Sequence, residues 1–208
     1  TQSNDVAYTK GAGDKVAESL RNIRIKVTEF GMDELRLENI TPFPTLIVGI
    51  RAFNVHKDLA FKNKILWEYA NQGGTVIVQY NTSRGLDSSI VAPYPISLSR
   101  DRVTDENSEV TFLNKQHPIF NSPNPISTDD FEGWVQERGL YFASTWSSEL
   151  TPLLSMNDSG ETPKKGSLLV ADYGKGKFIF TGLSFFRELP AGVPGAFRLF
   201  ANLISYGK

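Results

Sequence analysis

Two short apolar runs, residues 45–50 (TLIVGI) and 75–80 (TVIVQY), limit most sharply what this chain can fold into. Neither alternates polar and apolar residues along its length, so each suits a strand covered on both faces. Between them, residues 57–70 place Leu59, Ile65, Leu66 and Tyr69 on one side of a helix, and Gly73-Gly74 ends it. Strand, helix and strand in that order give parallel strands joined by a helical crossover. The order also runs upstream. Residues 5–8 read as a first strand, Gly11-Ala12-Gly13 as a turn, and 16–22 as a helix that Asp14 can cap. Residues 25–30 then read as a second strand and 33–39 as a short helix. The expected fold is α/β, with an open, mostly parallel sheet and helices on both faces.

After Asn81 the rhythm breaks. Residues 81–136 are rich in Pro, Ser, Asn and Asp. A structureless loop of that length is unusual in a compact domain, so an insertion with short strands is expected over one end of the sheet. Regular patterning returns at 140–142, 153–156, 167–171 and 177–182. The last two read as a hairpin around Asp172 to Gly176. A final helix over 193–205 turns Phe197, Phe200, Leu203 and Ile204 inward. All 208 residues are expected to form one domain, with the insertion at about 81–136.

Composition removes several functions. Net charge is −1, with no run of one sign, so the basic stripe of a nucleic-acid binder is missing. There is no cysteine, which removes disulfides, thiolate metal sites and cysteine nucleophiles together. No apolar run approaches the ~18 residues of a membrane span. No signal peptide is evident, and the chain opens at Thr1, as expected where an upstream segment has been removed.

Familiar motifs are weak or broken. Gly11-Ala12-Gly13 lacks the third glycine of a dinucleotide fingerprint, because residue 16 is valine. His56 and His117 stand too far apart in sequence to suggest a metal site, and no cofactor is expected. No G-x-S-x-G elbow exists; its corner is held by Tyr80-Asn81. Three arginine–acid groups stand out instead: Arg100-Asp101-Arg102 with Asp105-Glu106, Trp134 with Glu137-Arg138, and Phe185-Phe186-Arg187-Glu188. Aromatic faces beside polar forks suit sugars or other polar ligands; the same contacts also serve as internal ion-pair networks. In open α/β sheets, ligands bind beyond the carboxyl ends of the strands. Gly13, Asp14, Arg51, Asn54, Tyr80, Asn81, Arg187 and Glu188 fall there.

Five stretches carry a resemblance: 46–54 (LIVGIRAFN), 73–81 (GGTVIVQYN), 93–106, 130–139 (DFEGWVQERG) and 174–191. Together they resemble the C-terminal domain of large bacterial PIG-L (LmbE-like) family deacetylases, notably those of Bacteroidetes. That domain is similar to class I glutamine amidotransferase-like, flavodoxin-like and ThuA-like folds. The resemblance implies export to the periplasm or beyond. It also implies that deacetylation belongs to a separate domain with a His-Pro-Asp-Asp zinc motif. Here the one His-Pro pair, His117-Pro118, continues Ile119-Phe120. The amidotransferase cysteine would fall at Tyr80-Asn81, and the ThuA-like histidine near Ser184-Phe185-Phe186.

The function expected is therefore a non-catalytic module that binds glycan or supports a deacetylase catalytic domain. Ligand contact is assigned to Arg51, Asn54, Asn81, Arg100, Arg102, Trp134, Glu137, Arg138, Arg187 and Glu188, with Trp134 stacking and the carboxylates orienting the arginines. Two alternatives stand beside it. One is a stand-alone hydrolase using Glu137 or Glu188 as general base. The other is a purely structural interaction domain.

Overall fold

The computed structural model describes residues 5–207. The first half follows in order as β1 (Asp5–Thr9), α1 (Val16–Asn22), β2 (Lys26–Phe30), α2 (Leu37–Ile40), β3 (Thr45–Val48), α3 (Ala52–Val55), α4 (Leu59–Asn71) and β4 (Thr75–Gln79). The second half holds β5 (Ile96–Leu98), β6 (Arg102–Val103), β7 (Thr111–Phe112), β8 (Gly139–Leu140), β9 (Ala143–Trp146), β10 (Thr151–Pro152) and β11 (Leu154–Ser155). It closes with β12 (Leu168–Tyr173), β13 (Gly176–Thr181), α5 (Phe185–Ala191) and α6 (Pro194–Ser205).

The main sheet has seven strands in the order β10-β12-β13-β4-β3-β1-β2. From β2 to β13 every neighbour is parallel; β12 and β10 add an antiparallel edge. The parallel part runs 2-1-3-4 and then β13, which is the flavodoxin-like order.

Register explains why the strands lack alternation. Ile47 pairs with Ile77, and Ile77 with Ile179, so one row of isoleucines crosses three strands. Together with Tyr8 this row packs on one face against Leu20 of α1, Leu189 of α5 and Phe200 and Leu203 of α6. The interleaved residues Leu46, Val48, Val76, Val78, Phe178 and Phe180 face the other side, against α2 and α4. Each such side chain contributes about 1.5–3 kcal/mol by leaving water. The buried hydroxyls are satisfied at the strand starts. Thr45 donates to the Ile204 carbonyl and Thr75 to the Tyr206 carbonyl, both at 2.8 Å. These bonds occupy carbonyls that the end of α6 leaves open.

Several expected boundaries shift. The short helix lies at Leu37–Ile40 rather than 33–39, after a turn closed by Leu35 N–H donating to the Gly31 carbonyl. Residues 140–142 are not one strand: the chain leaves β8, passes Tyr141 at φ 52°, and starts β9 at Ala143. Helices α3 and α5 have no counterpart in the sequence reading. The irregular stretch is stitched by three antiparallel ribbons, β5–β9, β6–β8 and β7–β11. Its apolar residues enter both cores, Ile96 and Leu98 on the α4 side and Phe120, Phe131 and Trp134 on the α6 side. Asn202 of α6, fully buried, donates to the Ile119 and Asn124 carbonyls at 2.7 Å and accepts from Asn124 N–H. No helix among the described residues is long and apolar enough to cross a membrane.

At the reversal in strand order, between β1 and β3, the exit loops touch backbone to backbone. Ala12 N–H donates to the Ile50 carbonyl at 2.8 Å and Gly49 N–H to the Thr9 carbonyl at 2.9 Å. A Cβ on Gly11 would sit 1.9 Å from the Ile50 oxygen. Gly11→Ala is therefore expected to force the loops apart and lower stability by about 2–4 kcal/mol. A urea-unfolding midpoint within error of the parent's would show that the loops do not meet this closely.

Candidate functional site

Beyond the carboxyl ends of β3, β4 and β13 the chain builds a rim of aromatic and charged groups. Tyr80, the residue after β4, stacks on Tyr141 with ring centres 6.2 Å apart and meets Phe186 at 5.0 Å. Arg187 lies over the Phe186 ring at 4.9 Å, and its Nε donates to Glu137 Oε1 at 2.8 Å. Arg51 enters from the β3 exit, its backbone N–H donating to the Tyr80 carbonyl at 2.8 Å. Burial pushes the Tyr80 phenol above its ordinary range, against the opposing pull of Arg51 and Arg187.

Among the described residues, four non-glycine residues have positive φ, and Arg51 (54°), Gln136 (70°) and Tyr141 (52°) belong to this rim or flank it. Each such backbone costs about 1–3 kcal/mol and persists only where the surroundings impose it. Strain of this kind concentrates at sites that hold side chains in set places.

Beneath the rim lies a buried polar layer. Trp134, 3% exposed, stacks on Phe131 at 5.3 Å, meets Phe185 at 5.9 Å, and donates its indole N–H to the Asp130 carbonyl. The ring is thus enclosed within the protein, and the stacking role expected of Trp134 finds no open face. Arg138 is also interior. Its Nε and Nη2 donate to the Ser108 carbonyl at 3.1 and 2.9 Å, and its Nη1 to the Phe131 carbonyl. Glu188 has no accessible surface. It accepts from Val135 N–H at 2.9 Å and meets Ser184 Oγ at 3.1 Å. Burial raises its carboxyl to about 7, despite the bonds from Val135 and Ser184 and the charges of Arg138 and Arg187. Ser184 Oγ lies closer to the Glu137 carbonyl, at 2.6 Å, and has one hydrogen to give. Ser184 Oγ thus sits between two acceptors, the Glu137 carbonyl and Glu188 Oε1.

Asn54 and Asn81 are stitches between loops. Asn54 pairs with both backbone groups of Thr82 at 2.9 Å. Asn81, fully buried, accepts from Phe53 N–H and donates to the Gln79 carbonyl, each at 3.0 Å. His117 caps a turn, accepting from Ile119 N–H. Among the described residues, no group of three His, Cys, Asp or Glu could hold a metal ion.

Arg100 and Arg102 lie apart from the rim, in a groove of about 780 Å³ that no rim residue lines. Trp146, Lys164 and Lys165 share its walls. Trp146, at the end of β9, packs one side on the α4-side core and turns the rest into the groove. Asp158 fastens the far wall: it accepts from Thr104 N–H and hydroxyl and from Asp105 N–H at 2.8–2.9 Å. Burial would raise its carboxyl, but these bonds and that from Ser108 outweigh it and hold it low. Lys164 pairs with Glu161, whereas Arg100, Arg102 and Lys165 form no ion pair with a described residue. Sequence reading named the two arginines and missed Trp146 and the lysines, because residues 157–165 reach the groove only through folding.

No family model matches the sequence. No curated protein matches it. Solved structures share its fold. The mmIFT52 N-terminal domain aligns at a TM-score of 0.64 and 13% identity over 98% of each chain. Cytoplasmic protein STM3548 from Salmonella typhimurium aligns at 0.62 and 10%, over 97% of this chain and 98% of that one. A β-galactosidase from Rahnella sp. R3 aligns at 0.53 and 12%, over 96% of this chain but 30% of the enzyme. At these identities the likeness is one of fold.

The Glu188 layer makes stability depend on pH. Between the ordinary glutamate range near 4.5 and about 7, the unfolded chain has released this proton and the folded chain still holds it. Stability should fall as pH rises through that window and level off above it, a loss of about 1–3 kcal/mol. Glu188→Gln removes the titrating group, so its stability should not fall across this window. Denaturant unfolding of both proteins at pH 5 and pH 8 checks this; equal pH dependence in the two would refute the assignment.

Proposed function

We propose that this chain is a non-catalytic module that binds carbohydrate and works beside a separate catalytic domain, such as that of a sugar deacetylase. One observation carries the reading: the polar groove of about 780 Å³ in which Trp146 forms a wall beside Arg100 and Arg102. An aromatic face suits the apolar side of a pyranose ring, and arginine forks suit its oxygens. The volume lies within the range of small-ligand sites. Trp146 thus takes the stacking role that sequence reading gave to Trp134. The two glutamates considered as general bases are both engaged, Glu137 with Arg187 and Glu188 with no surface at all. The Rahnella β-galactosidase, of which this fold makes up under a third, gives a precedent for such a domain within a larger carbohydrate-active chain.

A purely structural role is the second reading, favoured by the burial of Trp134, Arg138 and Glu188. Glycan-array screening followed by calorimetry separates the two. We expect saturable binding of an oligosaccharide, weakened about tenfold by Trp146→Ala and by Arg100→Ala with Arg102→Ala. Trp134→Phe, which alters only the interior, should leave affinity unchanged. Absence of any bound glycan would leave the structural role standing, and groove variants that bind like the parent would overturn the groove as the site.

A further inference from the structure

We propose that the rim beside Tyr80 is a second, independent site that binds the carboxylate group of a small organic acid between Arg51 and Arg187. The groups gathered there are donors short of acceptors. The Arg51 guanidinium makes no hydrogen bond or ion pair with any described residue, although its Nε is shut off from solvent. Its backbone is held at φ 54°, in the left-handed region that suits glycine, so the position carries strain to keep a side chain there. Arg187 commits only Nε, to Glu137, and leaves both Nη groups without a partner among the described residues. The Tyr80 hydroxyl likewise has no such partner.

An acceptor with two coplanar oxygens matches guanidinium forks of this kind. Glu137 already places one negative charge against Arg187, at 2.8 Å. A singly charged carboxylate is therefore favoured over a doubly charged phosphate, which meets more repulsion. Phe186 and Tyr141, both packed on Tyr80, offer apolar surface for the body of the acid. The site lies beyond the carboxyl ends of parallel strands, where open α/β sheets take ligands. It shares no lining residue with the groove, so either site can fail without the other.

The test titrates the 208-residue chain with sodium acetate, sodium malonate and inorganic phosphate at fixed ionic strength, with chloride as reference. The arginine Nε–H resonances are followed by NMR. Saturable shifts are expected for Arg51 and Arg187 with the carboxylates and not with chloride. Arg51→Gly is the informative variant, because glycine accepts the backbone angle that arginine strains to hold. It should melt no lower than the parent yet bind carboxylate at least about tenfold more weakly. Arg187→Ala should weaken binding to a similar degree. Linear, unsaturable shifts would overturn the proposal, as would unchanged binding by Arg51→Gly. Tighter saturation by phosphate than by either carboxylate would overturn the ligand class. A fall in the melting temperature of Arg51→Gly with no carboxylate binding by the parent would mark Arg51 as structural.

Discussion

Burial of the central strands on both faces is the constraint from which the other features follow. Rows such as Ile47–Ile77–Ile179 and Leu46–Val76–Phe178 leave the middle of β3, β4 and β13 no side on which a charged residue could stand. Unpaired charge in such a layer would cost several kcal/mol, so polar groups are driven to the strand ends. At the amino ends two threonines meet carbonyls at and just past the end of α6. At the carboxyl ends the chain must place everything else it has to offer: arginine, tyrosine, asparagine and the start of α5.

The insertion is held to this framework by polar bonds as much as by apolar contact. Arg138, Glu188 and Asn202 are interior, and each bonds to backbone groups in residues 108–135. A backbone donor or acceptor left unmet in the interior costs about 1–3 kcal/mol, so these side chains fix which loop lies where. Apolar packing alone would tolerate more than one placement of Phe120, Phe131 and Trp134, since hydrophobic contact is non-directional.

The parallel half of the sheet was legible because its signal is local. Residues 45–50 and 75–80 are apolar throughout, and a helix-length interval separates them. The later hairpin was legible for the same reason, through Gly174-Lys175 between two apolar runs. Helix α5 was not, because Pro190 lies inside its seven residues and Gly192 follows, so its sequence resembles a loop. The candidate site was legible in residue type and not in grouping. Glu137 and Arg187 do meet, but Trp134 lies inside, and the groove of Arg100 and Arg102 is completed by Trp146 and Lys165. No local pattern tells a tryptophan that fills a core from one that lines a groove. Pairing β5 with β9 across about fifty residues decides it, and that contact is written in no short window.

The place where a flavodoxin-like sheet commonly opens, between β1 and β3, is closed in this chain. Gly11 and Gly49 bring the two exit loops into backbone contact, and Asp14 fills the remaining space, bonded to the Tyr8 hydroxyl and to Val16 N–H. A ligand there would meet backbone, which cannot rotate away as a side chain can. The open surfaces lie one strand further along, where β4 and β13 end, and beyond them in the ribbons of the insertion. Both surfaces proposed to bind ligand depend on residues outside the parallel sheet: Glu137 and Tyr141 at the rim, and Trp146 with Lys165 at the groove. Both proposed surfaces thus draw on the chain between β4 and β12, and the sheet contributes rigidity and the position of Arg51.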